Sequence, residues 1–149
     1  MTIQAAHPVS LNDGIVRIPL SDVDDGALHR YTLKQDSIEI RFLSMRTGLS
    51  SYATMFDACR PCYNYGKFYI SRGDIVCSQC DAAYPVSTLS KLSESETIEG
   101  QFSSAVDLGD DAGCFPIYLP SRIEKGTILI SIDDLQSKRE YFELKKEEP

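Results

Sequence analysis

The stretch "FDACRPCYNYGKFYISRGDIVCSQCDAAY", residues Phe56–Tyr84, decides the fold of this chain. It holds four of the five cysteines, as two pairs in which two residues separate the cysteines: Cys59 with Cys62, and Cys77 with Cys80. Two intervening residues let a tight turn direct both sulfurs at one point, and two such turns on adjacent hairpins make a tetrahedral site of four thiolates. The spacing therefore predicts a bound metal ion or cluster.

The same spacing leaves other interpretations open. The four cysteines could instead be free thiols or form two local disulfides, although such disulfides would close very small loops and stabilise little. Zinc, mononuclear iron and iron–sulfur clusters all accept four thiolates, and copper(I) would also accept them. Met45, Met55 and His29 are possible auxiliary ligands, with packing in the core or on a strand as the alternative role for each.

The fifth cysteine, Cys114, lies far downstream in "DAGCFPIYLP". It follows Gly113 and stands two residues before Pro116, so a backbone bend specifies the direction of its thiol. A lone cysteine is often a small buried residue. The residues leave a second role open as well: a fifth thiol near the four-cysteine site, as a ligand or as a neighbouring redox-active thiol.

Composition and charge limit the classes of function. The chain has 149 residues, the size of one domain, and carries a net charge of -7 with a pI near 4.8. Nucleic acid is an unlikely partner, because phosphate binding needs a basic face. No run approaches the roughly 20 apolar residues that span a bilayer. Neither histidine has a partner that would suggest a catalytic triad, so an enzymatic role other than redox chemistry is not indicated.

Alternating apolar and polar residues predict a mainly β fold, a small antiparallel domain with two Cys-x-x-Cys knuckles like those of zinc ribbons. We expect a flexible tail over residues 1–13, one metal-binding domain over 14–143 and a solvated tail over 144–149. Residues 14–57 read as an antiparallel meander of four strands, and the acidic segment 93–111 reads as a surface loop. One short helix is predicted near Asp133 to Phe142, with Ser131 or Asp133 as its cap.

The three cysteine blocks together resemble a known family. "FDAC-x-x-C", "GKFYI-x-x-GDIVC-x-x-C" and "AGCFPIYLP" are similar to the family of domain of unknown function 2318, whose members are described as iron–sulfur-containing membrane proteins. The resemblance covers roughly residues 26–142. It departs from the family at Asp81, where a glycine is usual, and at Phe115, where an asparagine is usual. The matching positions are Phe56, Asp57, Cys59, Cys62, Gly73, Cys77, Cys80, Gly113, Cys114 and Pro116.

The resemblance implies a function and a location. Such proteins stand beside bacterial iron-uptake permeases, which implies a membrane iron permease or a related component as the partner. It also implies a periplasmic domain on the outer face of the cytoplasmic membrane, attached to membrane segments that this sequence lacks. The layout resembles that of Rieske-type domains as well, but only at the level of the fold. Iron or an iron–sulfur cluster is therefore the first expectation for the cofactor, with zinc or copper as alternatives.

Three functional hypotheses remain open at this point. The first is a module that transfers electrons or hands over metal in iron transport. The second is a structural, zinc-ribbon-like interaction domain. The third is a thiol–disulfide protein, which ranks last because a redox Cys-x-x-Cys usually begins a helix, and neither pair is followed by a helical pattern.

Overall fold

Ten strands form three sheets in the described part of the chain. The computed structural model describes residues 6–47, 52–59, 67–79, 81–89 and 116–143. Its helical elements are a 3-10 turn at Leu20–Asp22, one helical turn at residues 87–89, α1 at Ile132–Gln136 and α2 at Glu140–Glu143. The strands are β1 His7–Pro8, β2 Ile15–Pro19, β3 His29–Gln35, β4 Ile38–Arg46, β5 Tyr52–Phe56, β6 Phe68–Ser71, β7 Asp74–Cys77, β8 Ala83–Pro85, β9 Arg122–Glu124 and β10 Thr127–Ser131.

The central sheet, in the order β1-β3-β4-β5, is buried on both faces. Side chains alternate along a strand, so Ile38, Ile40 and Phe42 of β4 face one way while Leu43 and Met45 face the other. This alternation puts apolar side chains on both faces of the sheet. Two separate apolar clusters follow from it.

We call these clusters the first core and the cysteine-side core. The first core contains Val16, Ile18, Val23, Tyr31, Leu33, Ile38, Ile40, Phe42, Phe56, Ala58, Ile117, Leu119, Ile128, Ile130, Leu135 and Phe142. The cysteine-side core contains Leu43, Met45, Ala53, Met55, Cys59, Phe68, Ile75, Cys77 and Leu89.

The predicted four-strand meander over residues 14–57 is wrong in its first strand. β3, β4 and β5 are consecutive antiparallel neighbours, as expected. β2 instead pairs with β10, in register from Ile15 with Ser131 to Pro19 with Thr127, and β9 completes that second sheet. The apolar side chains Val16 and Ile18 are buried in the first core in either arrangement, so alternation alone does not identify the neighbouring strand.

The cysteine segment forms the third sheet, in the order β6-β7-β8. β6 and β7 are joined through Arg72 and Gly73, whose φ values are +54° and +81°. Two successive residues in the left-handed region are the mark of a type I′ turn, whose twist matches that of a two-stranded hairpin. The β6–β7 hairpin therefore closes through a two-residue turn of this type.

Both ends of the described chain differ in detail from expectation. The predicted single C-terminal helix is two short helices, α1 and α2, separated by a turn at residues 137–139. Ser131 is the N-cap of α1, since its Oγ accepts a hydrogen bond from the Asp134 N–H at 3.1 Å. Within the expected N-terminal tail, His7 and Pro8 form β1 and pair in parallel with β3. The domain boundaries themselves stay a prediction.

Candidate metal centre

Two of the five cysteines lie within the described residues, and both are buried thiols. Cys59 follows β5 and Cys77 ends β7; each is 1% exposed, neither is in a disulfide, and both belong to the cysteine-side core. Cys62, Cys80 and Cys114 lie outside the described residues. The structure thus brings the first cysteine of each pair into one cluster, while the convergence of all four sulfurs stays a prediction.

The chain reverses direction tightly between β7 and β8, just after Cys77. The Cys77 carbonyl accepts a hydrogen bond from the Asp81 N–H at 2.8 Å, and the Cys77 N–H donates to the Ala82 carbonyl at 3.1 Å. Asp81 has a φ of +63°, in the left-handed region. Glycine adopts positive φ without steric cost. Aspartate is among the few other residues that visit this region readily.

Lys67 and Ser78 extend the β6–β7 hairpin by one further pair. The Ser78 N–H donates to the Lys67 carbonyl at 2.9 Å, and the Lys67 N–H donates to Ser78 Oγ at 2.9 Å. Ser78 is the residue after Cys77, and Lys67 is the last residue before β6. These reciprocal bonds place Lys67 directly beside the residue that follows Cys77.

A buried carboxylate, Asp57, lies at the start of the first knuckle. Its Oδ2 accepts hydrogen bonds from Arg30 Nε at 2.8 Å and from Arg41 Nε at 2.9 Å, while its Oδ1 accepts one from the Phe68 N–H at 2.9 Å. Asp57 is 0% exposed, and the side chains of Arg30 and Arg41 are 4% and 11% exposed. Burial of charge at this level requires pairing and hydrogen bonding, and this group provides both.

Arg30 and Arg41 were not among the residues expected at the site from the sequence. One signal was present, because the alternation along β4 places Arg41 on the same side as the apolar Leu43 and Met45. A charged residue in such a position calls for a buried partner. The sequence does not show that Asp57 is this partner, because Asp57 follows β5 and Arg41 lies in β4.

The candidate auxiliary ligands are placed differently from one another. Met45 and Met55 are buried in the cysteine-side core, the same cluster as Cys59 and Cys77. His29 Nε2 lies 2.8 Å from Asp25 Oδ1 at a partly exposed position, and this hydrogen bond lowers the pKa of the Asp25 carboxyl. The two methionines are therefore near the cysteines, and the histidine is engaged by a carboxylate on a neighbouring loop.

Residues 117–119, downstream of Cys114, pack beside the end of β5 and the residues before Cys59. Phe56 N–H donates to the Ile117 carbonyl at 2.7 Å, and Ile117 N–H donates to the Ala58 carbonyl at 3.3 Å. Residues 117–119 thus run antiparallel beside the end of β5, with a bridge between Met55 and Tyr118. Ile117 is bound to the residue immediately before Cys59.

The donor chemistry fits a soft or borderline metal, because buried thiols are the ligands preferred by zinc, iron and iron–sulfur clusters. Among the described residues there is no group of three or more histidine, cysteine, aspartate or glutamate side chains that could hold a metal ion. Two of the four expected ligands lie outside those residues.

Comparison with known proteins gives one family. Residues 23–95 match the family described as "Membrane iron-sulfur containing protein FtrD-like". The match covers just under half of the chain and spans both Cys-x-x-Cys pairs, Asp57 and both arginines. The matched family and the family that the motifs resemble are both described as membrane proteins that contain iron and sulfur. No curated protein and no solved structure matches the chain.

The described helices are short. None of those resolved in the ranges given above is long and apolar enough to cross a membrane.

Proposed function

We propose that the chain is a thiolate metal-binding domain whose centre contains iron, as an iron–sulfur cluster or as mononuclear iron. Cys59, Cys62, Cys77 and Cys80 would hold it. The domain would work outside the cytoplasm and support iron transport by transferring electrons, or by handing over metal, to a membrane iron permease. Iron bound by thiolates supplies one-electron redox chemistry.

The observation that carries this proposal is the placement of the first cysteine of each pair. Cys59 and Cys77 are buried in one cluster, and the reciprocal Lys67–Ser78 hydrogen bonds hold Lys67 beside the residue that follows Cys77. The match of residues 23–95 to a family of membrane iron–sulfur proteins supports iron as the metal, and the resemblance to proteins found beside iron permeases supports the role in transport.

The residues around the site would control its access to water. Phe68, Ile75 and Leu89 are each at most 1% exposed and pack in the same cluster as the two thiols. An apolar shell lowers the local dielectric constant and so tunes the reduction potential of a bound centre. Met45 and Met55 contribute to that shell and could approach the metal as thioether ligands.

Cys114 is proposed as a fifth thiol beside the same centre. It is three residues from Ile117, and three residues span at most about 11 Å of extended chain. Ile117 is hydrogen-bonded to the residue before Cys59. Replacing Cys114 with serine should therefore alter the visible spectrum or the metal affinity. If the variant is unchanged in both, Cys114 only packs in the core.

Metal analysis tests the proposal directly. Protein purified without oxygen and without added metal should contain iron, with or without acid-labile sulfide, and absorb visible light. Serine variants of Cys59 and Cys77 should each lose the metal and the absorption. Colourless protein with one zinc ion per chain would favour the alternative, a structural zinc-ribbon-like interaction domain. Absence of any stoichiometric metal would contradict both.

The thiol–disulfide alternative has less structural support. Cys77 ends a strand and is followed by a turn and then by β8, so the second pair does not begin a helix. A low thiol pKa in redox Cys-x-x-Cys motifs depends largely on a helix N-terminus.

A further inference from the structure

We propose that Asp57 and Arg30 are positioning residues for the metal centre, because they dock the cysteine hairpin on the central sheet. This inference rests on the proposed function, since it assigns residues to the same site. Neither residue is a metal ligand in this proposal. They act through the backbone of Phe68, the first residue of β6.

The two residues satisfy both backbone groups of Phe68. Its N–H donates to Asp57 Oδ1 at 2.9 Å, and its carbonyl accepts a short hydrogen bond from Arg30 Nη2. Arg30 also donates through Nε to Asp57 Oδ2, so one carboxylate and one guanidinium form a closed ring of contacts with Phe68. A neighbouring strand would make the same two kinds of bond to an edge residue. The side chains therefore replace a strand at the outer edge of β6.

Phe68 is the point at which this docking reaches the cysteines. It lies directly opposite Cys77 in the β6–β7 register. Asp57 precedes Cys59 by two residues, so its carboxylate joins the residue before the first pair to the residue opposite the second pair. The Asp57–Phe68 hydrogen bond therefore sets the distance between Asp57 and β6. Because β6 is paired with β7, the same bond also sets the position of the strand that carries Cys77.

Arg41 anchors this unit to the sheet beneath. Its Nε donates to Asp57 Oδ2 at 2.9 Å and its Nη2 to the Asp57 carbonyl at 3.2 Å, while the Asp57 N–H donates to the Arg41 carbonyl at 3.0 Å. Arg30 and Arg41 belong to β3 and β4, which form the most extensively paired part of the central sheet. The rigid element is thus the sheet, and the cysteine hairpin is the element that is oriented.

A purely structural role for the same residues makes a different prediction. If the buried ion pairs only stabilise the fold, any substitution with an equal loss of stability should have an equal effect on metal binding. If they position the hairpin, they should affect metal affinity and ligand-field geometry beyond their effect on stability. A control that destabilises the first core, on the other face of the sheet, separates the two roles.

The test is a titration of the reduced, metal-free full chain with Co²⁺, whose thiolate charge-transfer and d–d bands report affinity and geometry. Asp57→Asn and Arg30→Lys are compared with wild type and with Leu135→Ala, which truncates a buried side chain of the first core. Asparagine keeps an oxygen for the Phe68 N–H but loses the charge; lysine keeps the charge but loses the planar fork that joins Asp57 to Phe68. Urea unfolding of each variant gives the matched loss of stability.

We expect both site variants to bind Co²⁺ about 10- to 100-fold more weakly than wild type, with shifted d–d bands, as is typical when residues behind the ligands are replaced. Leu135→Ala should be destabilised yet keep the wild-type affinity and spectrum. Wild-type binding in both site variants, or an equal loss of affinity in Leu135→Ala, would overturn the positioning role. If Asp57→Asn does not fold, Arg30→Lys decides the outcome alone. Wild-type protein that does not bind Co²⁺ would overturn the proposed function and this inference with it.

Discussion

Replacing Asp57 with alanine should destabilise the fold far more than replacing any exposed ionic partner. The change removes the carboxylate that accepts hydrogen bonds from Arg30, Arg41 and the Phe68 N–H. Both guanidinium groups then stay buried without this partner. Breaking a buried ion pair by deleting one member costs about 3–5 kcal/mol. At roughly 2–4 °C per kcal/mol for a chain near this size, the unfolding temperature should fall by about 6–20 °C.

The assay is thermal and urea unfolding followed by circular dichroism, in reductant and chelator so that bound metal makes no contribution. Glu124→Ala is the matched control, because Glu124 pairs with Arg122 at 2.9 Å but both side chains are more than half exposed. Exposed pairs contribute about 0.2–1 kcal/mol. If the two variants differ by less than about 1 kcal/mol, the buried carboxylate does not hold the cysteine hairpin to the sheet in the way described.

Three further predictions concern the knuckle, the pH dependence and the metal. Asp81→Val should lower the free energy of unfolding by about 1–2 kcal/mol, because valine is strained at the positive φ of this position. Asp81→Gly should keep that free energy within about 1 kcal/mol of wild type. Equal urea midpoints for the two variants would contradict this prediction. Burial, with Asp22 and Asp25 nearby, raises the pKa of Tyr31 to about 12. The unfolded chain therefore loses its phenolic proton first, so stability should decline between about pH 10 and 12, and Tyr31→Phe should lack that part of the decline. Removing the metal should speed amide exchange in residues 56–84 more than in β10, and a uniform change would argue against coupling between metal and hairpin.

Local features of the fold could be predicted from the sequence because they depend on near neighbours. The turns at Arg72-Gly73 and Lys125-Gly126 each end in a glycine, which adopts positive φ without steric cost, and both glycines have positive φ in the structure. The alternation along β4 gave the two faces of the central sheet. The cap at Ser131 follows from the preference of serine for that position.

Pairing between distant segments could not be predicted in the same way. β2 and β10 are more than a hundred residues apart, and nothing in either strand specifies the other. The Asp57 group has the same limitation, since three strands contribute to it. Sequence spacing identified the cysteines because each pair is local, but it gave no information about the arginines that support the hairpin.

The arrangement of the two cores has a consequence for how the protein would present its centre. The first core gathers elements from both ends of the described chain: Val16 and Ile18 of β2, Leu135 of α1 and Phe142 of α2. The cysteine hairpin packs on the opposite face of the central sheet. A domain or membrane segment joined beyond α2 would therefore begin on the side away from the thiols. The hairpin would then face outward, where an electron donor or a metal acceptor could approach it without passing the tether.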